Sequence, residues 1–317
     1  MYNVPSFIHI YGIENITNPD LGKVSVYLNS LLPESAVDTR IDLVSYYIKH
    51  LNITKLDDEA DSLARRLAAI RVINPDKEKL NPEPLYAEID YERRKILNPA
   101  THSLGVFYDG FELQNIFYSI IRKSRGVTTP LPVGQPIHRM GAPRSNRSSA
   151  PPLEGGERGG YKDECSFAHI HIAFINQLIA TWEDDDNRYH ARASVYGFPS
   201  IISTAGIVEA PAKPREFYLL RQQYGSTGRD DLALVEIKKK FKDSFIDYND
   251  PRMTEVCKGY VAQALFFHIA GEPFCEDKGC RLFNAHWQKE LIYSQLETPY
   301  EFCEKHAGIL EIVRGKS

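Results

Sequence analysis

His268-Ile-Ala-Gly271-Glu-Pro-Phe274-Cys275-Glu-Asp-Lys-Gly279-Cys280-Arg-Leu282 is the stretch on which the fold turns. A periodic apolar run that begins after Asp250-Pro251 reaches Ala270, and Gly271 with Pro273 stops it, so a helix ends here. Two cysteines follow at once, five positions apart, and Gly279 eases the tight turn between them. A second short pair, Cys303-Glu-Lys-His306, lies further on with a spacing that lets both side chains point inward, and Pro299 fixes its approach. Zinc favours a tetrahedron of thiolate and imidazole at roughly 2.0 to 2.3 Å, and two short pairs supply that with little strain. Cys275, Cys280, Cys303 and His306 are therefore predicted to hold one structural Zn2+. The competing reading is a set of unrelated buried thiols beside a surface histidine. His286 is a rival fourth ligand, although its run Phe283-Asn-Ala-His-Trp287 is helix-forming and suits packing better.

Outward from this stretch the pattern is α/β (α+β). Ser6 to Tyr11 reads as a strand, Pro19-Asp20 opens a helix ending near Leu32, and Arg40 to Tyr47 reads as a second strand. Asp57 to Ile73 carries Leu63, Leu67 and Ile70 on one helical stripe, whereas Gly110 to Lys123 fits strand or helix. Phe167 to Ile175 and Phe198 to Thr204 are β-rich, joined by a polar hairpin-like turn at Glu183 to Asn187. That turn is acidic but lacks the glycine and terminal glutamate of a calcium loop, so it reads as solvated. Pro214 starts a further helix through Gln222.

Between Gly126 and Gly160 the chain holds seven Gly, six Pro and no aromatic residue. Such a stretch cannot bury enough apolar area to offset the entropy of ordering it, and it reads as a flexible insertion or as an ordered loop over a site. The expected division is an N-terminal α/β portion over residues 1–125, the insertion over 126–160, and the rest of the domain with its zinc site over 161–317. The 317 residues are 43% hydrophobic and 25% charged, with a formal charge of -4. That balance argues against a protein that grips phosphate backbones. Three of five cysteines crowd into the last 43 residues, which suits metal binding in a reducing compartment better than a disulfide framework. With no apolar run long enough for a membrane helix and no secretory start, a cytoplasmic location without membrane contact is expected.

The residues from His268 to Leu282 resemble the archaemetzincin signature HExxHxxGxxHCx4CxM, found in metzincin-type zinc peptidases that carry a second, cysteine-bound zinc. The blocks IISTAGIVEAPAKPREFY (residues 201 to 218) and CRLFNAHWQKEL (residues 280 to 291) resemble an uncharacterised archaeal group of metallopeptidase-type proteins. The resemblance covers mainly residues 165 to 308 and implies a metzincin-like mixed sheet with packed helices. It implies that Cys275, Cys280 and Cys303 match structural-zinc cysteines, with His306 in place of a fourth. The catalytic half departs. Ala264 stands for the first His, Leu265 for the Glu that polarises the zinc-bound water, Phe274 for the third His and Leu282 for the methionine beneath the site. Only His268 and Gly271 remain.

Three functional readings follow. The first is a metzincin-like protein without peptidase activity, retained for a peptide or protein partner, with the cysteine-bound zinc its one metal. The second is a working hydrolase with a relocated metal: His169 and His171 alternate on a strand and project to one face, and His190, Glu209 and His268 are available to join them. Against it stands the ordinary role of such imidazoles, hydrogen-bonded within a sheet. The third is a zinc module for nucleic acid, using Arg139, Arg144, Arg147 and Arg158; the acidic balance and the lack of a basic, aromatic-rich stripe count against it. Ser203 to Tyr218, with Glu209, Lys213, Arg215 and Glu216, reads as a binding rim or a structural turn.

Overall fold

The computed structural model describes residues 2–12, 18–49, 56–78, 83–97, 106–123, 164–225, 237, 239–241 and 243–315. The Gly/Pro-rich stretch at 126–160 and its arginines lie outside the described residues. In chain order the elements are β1 (Phe7–Tyr11), α1 (Leu21–Leu31), β2 (Ala36–Arg40), α2 (Leu43–Lys49), α3 (Leu56–Ala69), α4 (Tyr86–Leu97), β3 (Phe107–Asp109) and α5 (Gly110–Lys123). They continue as β4 (His169–Ile175), β5 (Leu178–Glu183), β6 (Arg188–Arg192), β7 (Ser194–Val195), β8 (Ser200–Ser203), α6 (Thr204–Glu209) and α7 (Arg215–Gly225). Last come α8 (Met253–Ala270), α9 (Gln288–Ile292), a π-helical turn (Tyr293–Glu297) and α10 (Glu304–Val313).

The main sheet has the order β2-β1-β4-β8-β7, parallel except for the antiparallel edge strand β7. A second sheet, β3-β5-β6, pairs β3 with β5 in parallel and closes β5 on β6 as a hairpin. This is the mixed α/β class that the sequence pattern predicts. The central pairing joins β1 to β4 across about half the chain, with Phe7 opposite His169 and His9 opposite His171.

Because side chains alternate across a strand, each face of the main sheet has its own core. Ile8, Ile10, Ile170, Ile172, Phe174 and Ile202 meet α1 and α8 on one face. Tyr11, Ala173, Ile175 and Ile201 meet α2, α3 and α5 on the other. Helix α1 is fixed by Asp20, whose carboxylate accepts from the Lys23 amide, and buries Val24, Tyr27, Leu28 and Leu31 at helical spacing. Helix α8 is buried nearly all round, since the sheet covers one side and the C-terminal segment the other. It ends as predicted at Gly271, whose φ of 74° is the left-handed conformation of a helix stop.

Two local expectations are corrected. Arg40 to Tyr47 is not a strand: β2 ends at Arg40, and Asp42 starts a helix by accepting the Ser45 amide, which turns Leu43 and Tyr47 into the core. The cap and tertiary burial override the β preference of Val44, Tyr46 and Tyr47. The strand read through Thr204 stops at Ser203, whose hydroxyl accepts the Gly206 amide and starts α6. Gly110 to Lys123, open between strand and helix in the sequence, is helical after the short β3.

Gly206 sits where α6 presses on the backbone after β6. An added Cβ would stand 2.2 Å from the Arg192 carbonyl oxygen and 2.9 Å from the Ala193 Cα, so a backbone segment would have to move. Gly206→Ala should lower unfolding free energy by about 1–3 kcal/mol, the range for overpacking, as read from urea denaturation midpoints. A neutral result would mean that this contact yields without strain.

Candidate metal centre

Cys275 leaves the helix stop and is pinned by its amide to the Leu282 carbonyl oxygen at 2.9 Å, forming a bridge beside Phe283. The loop closes on Asp277, which accepts the Gly279 amide, while the Asp277 amide lies 3.4 Å from the Cys275 sulfur. Gly279 has a tighter reason to be glycine than the turn alone: a Cβ there would meet the Tyr300 hydroxyl at 2.4 Å, and Tyr300 is held by Asp277. Cys303 is the N-cap of α10, and His306 sits in its first turn.

These four side chains converge. Their ligand atoms lie within 4.8 Å of one another. The Cys275 and Cys303 sulfurs are 3.8 Å apart, the Cys280 sulfur is 3.7 Å from His306 Nδ1, and Cys303 is 3.1 Å from the same nitrogen. Tetrahedral zinc with bonds of roughly 2.3 Å to sulfur and 2.0 Å to nitrogen separates its ligand atoms by about 3.5 to 3.8 Å, so the donor set and spacing fit zinc. Cys280 and His306 are buried. Burial pushes the Cys280 thiol up to about 12 and also raises Cys275, whereas a bound cation would reverse both by stabilising thiolate. Arg281 ties the loop to the core: it donates to Glu255 on α8 at 2.7 Å, lies 3.3 Å from Glu301, and covers the Tyr27 ring of α1. His286 is exposed and stays apart; its amide donates to Glu290.

The positions on α8 that the sequence resemblance aligns with catalytic ligands are core. Ala264 and Leu265 are buried in the apolar cluster, and Leu282 is fully buried. The His268 imidazole bonds the Phe167 carbonyl oxygen at 2.9 Å, and burial holds it below the ordinary histidine value. Phe274 packs edge-on to Tyr196, which also contacts Phe267 and donates to Gln263.

Of the histidines predicted for a relocated centre, His169 and His171 come together with groups that sequence reasoning missed. On β1, His9 faces both, with its Nε2 2.8 Å from His169 Nδ1 and its ring 4.7 Å from that of His171. His9 Nδ1 contacts Asp38 on β2 at 2.5 Å, and the Tyr11 hydroxyl is 2.9 Å from His171 Nδ1. Arg40 grips the Glu164 carboxylate with two bonds of 3.1 and 3.2 Å and also reaches Tyr11 and Asp38. Burial raises the Asp38 carboxyl, but the bonds from His9 and Arg40 outweigh it and hold the group below the usual range. Burial and the neighbouring His9 take His171 down to about 3, so it is neutral. His190, Glu209 and His268 do not join this cluster: His190 pairs with Asp186 at 2.6 Å, Glu209 with Lys213 at 2.9 Å, and His268 bonds Phe167. The alternation His9-Ile-Tyr11 in β1 was a visible signal, the same spacing as His169-Ile-His171, but which strand neighbours which lies outside local sequence.

Residues 161–313 match a family described as a probable metallopeptidase family, and residues 9–131 match a family of unknown function. No curated protein and no solved structure matches the chain. Among the described residues no helix is long and apolar enough to cross a membrane.

A small cleft of about 100 Å³ opens at the carboxyl end of β4, lined among others by Asp42, Glu92, Lys95, Tyr108 and Gln177. Glu92 is fully buried; one oxygen accepts from Arg71 and Tyr108, and the other has no hydrogen-bond partner among the described residues. Burial brings Lys95 beside it down from 10.5 to about 8. Below pH 8 folded and unfolded chains both carry the Lys95 proton, and the folded state bears the full cost of a desolvated cation. Between about 8 and 10.5 only the unfolded state binds it, so this cost fades as pH rises. Lys95→Met should therefore stabilise the protein by about 1–3 kcal/mol at pH 7 and by distinctly less at pH 10, as read from denaturation curves at both pH values. A gain that grows with pH would contradict the burial argument.

Proposed function

We propose that this chain is an archaemetzincin-like zinc protein in which Cys275, Cys280, Cys303 and His306 bind one structural ion, and in which peptidase chemistry on α8 has been lost. The carrying observation is the convergence of three sulfurs and one imidazole at tetrahedral spacing, directly after a helix whose former ligand positions are Ala264, Leu265 and Phe274. The likeness of residues 161–313 to a probable metallopeptidase family supports the descent. A metzincin centre needs imidazoles one helical turn apart and a carboxylate base; here one imidazole and three apolar side chains stand in their place. The zinc has a mechanical role. It fastens α10 and the Cys275–Phe283 loop to each other, and Arg281 passes that constraint to α8 and α1.

Retention of the fold without the helix-borne metal suits a peptide or protein partner. Nucleic acid is disfavoured by the formal charge of -4.

Metal analysis tests the assignment. Cys280→Ser should remove one equivalent of zinc per chain and cost several kcal/mol, within the roughly 10 kcal/mol that structural zinc contributes to small domains. Cys165→Ser, which alters a cysteine outside the cluster, should keep the full metal content. Equal zinc in both variants, or cleavage of a peptide library that disappears in His268→Ala, would overturn the reading.

A further inference from the structure

The imidazoles between β1 and β4 are organised as metal ligands are. In-register parallel pairing places His9 beside His171 on one face of the sheet, and His169 follows one step toward the strand start. All three rings are buried, at 4%, 4% and 1% exposure for His9, His169 and His171. Ligand atoms of His9, His171 and Glu164 lie within 4.8 Å of one another, with no cysteine among them. Each has an outer partner. Asp38 contacts the far nitrogen of His9, the Tyr11 hydroxyl contacts Nδ1 of His171, and Arg40 holds the Glu164 carboxylate in a two-pronged grip; Nε2 of His171 lies 2.9 Å from the Glu164 carbonyl oxygen, a hydrogen bond that an ion on that nitrogen would replace. Ligating histidines are commonly oriented through their second nitrogen in this way, and a ligating carboxylate is itself hydrogen-bonded. The formal charges here, Asp38 and Glu164 against Arg40, sum to one negative charge, which favours a cation.

We propose that His9, His171 and Glu164, with His169 alongside, form a second, sulfur-free site for a divalent transition-metal ion. Imidazole and carboxylate donors suit zinc, cobalt or nickel and not calcium or magnesium, whose preference is for oxygen. The 2.8 Å contact between His9 Nε2 and His169 Nδ1 is a hydrogen bond when no ion is bound. The ligands come from both matched regions, His9 from 9–131 and Glu164, His169 and His171 from 161–313, so neither region holds the site alone. The inference deepens the metal-binding reading but does not depend on the cysteine centre.

Cobalt titration of the metal-stripped full chain separates the two sites, because thiolate ligands give a sulfur-to-cobalt charge-transfer band and a His/Glu site gives only ligand-field bands. Two equivalents are expected, one with and one without the charge-transfer signature. His9→Gln with His171→Gln, which keeps polar side chains in the sheet, should lose the sulfur-free equivalent and retain the other; circular dichroism verifies folding. As a milder probe, Asp38→Asn should weaken that equivalent about 10- to 100-fold, the usual effect of losing an outer partner. Binding of a sulfur-free equivalent that vanishes with the histidines supports the site even if the charge-transfer band never appears, an outcome that would overturn only the cysteine assignment. A single sulfur-bound equivalent in wild type, or a sulfur-free equivalent unchanged in the folded double variant, would overturn the proposal and leave the imidazoles as a hydrogen-bonded sheet network.

Discussion

The parallel pairing of β1 with β4 is the constraint on which the structure depends. It joins segments about 160 residues apart in one register, and the pleat does the rest. One face receives Ile8, Ile10, Ile170, Ile172 and Phe174, and the other receives His9, His169 and His171. A slip by one residue would turn the imidazoles into the apolar layer of α1 and α8 and the isoleucines toward Asp38 and Arg40. Burying three imidazoles without partners would cost several kcal/mol, so the polar neighbours on β2 and at Glu164 help to specify the register that creates the cluster.

How much of this was legible in the sequence depended on distance along the chain. The Cys275–Cys280 loop and the Cys303–His306 pair are each local, and only their meeting had to be inferred. Helix α8 was equally plain, because Asp250-Pro251 and Gly271 mark its ends by backbone chemistry. By contrast, β2 and α2 were misread: Val44, Tyr46 and Tyr47 favour strands in isolation, while a single carboxylate at Asp42 and burial against α5 decide for helix. His169 and His171 were recognised, but His190 and Glu209 were wrong companions, since those two satisfy neighbours four residues away. The true companions, His9 and Glu164, follow from sheet order, which composition and periodicity do not contain.

The two ligand clusters place different demands on the protein. At the C-terminus the loop from Cys275 to Phe283 is irregular and is anchored by backbone bonds, by the buried Cys280 and Leu282 and by Arg281, so an ion bound there would add a further fastening. Between β1 and β4 the sheet already positions the donors, and an ion adds charge and not shape. On the proposed assignments, removing metal would be felt as loosening in the first case and as little more than a change of hydrogen bonds in the second.

The packing around α8 bears on the proposed absence of a metal on that helix. A reactive metal needs an open coordination position, hence a cleft, and a cleft requires that side chains at the helix surface stop short of their neighbours. Ala264 and Leu265 instead lie inside the apolar layer, and Tyr196, which donates to Gln263, packs edge-on against the exposed Phe274. Each replacement exchanges a polar ligand for contacts that favour closure, so restoring one histidine at Ala264 would bury an imidazole with no metal to hold. A metal site could be built there only at a cost, because Ala264 and Leu265 are part of the packing that keeps α8 against the sheet.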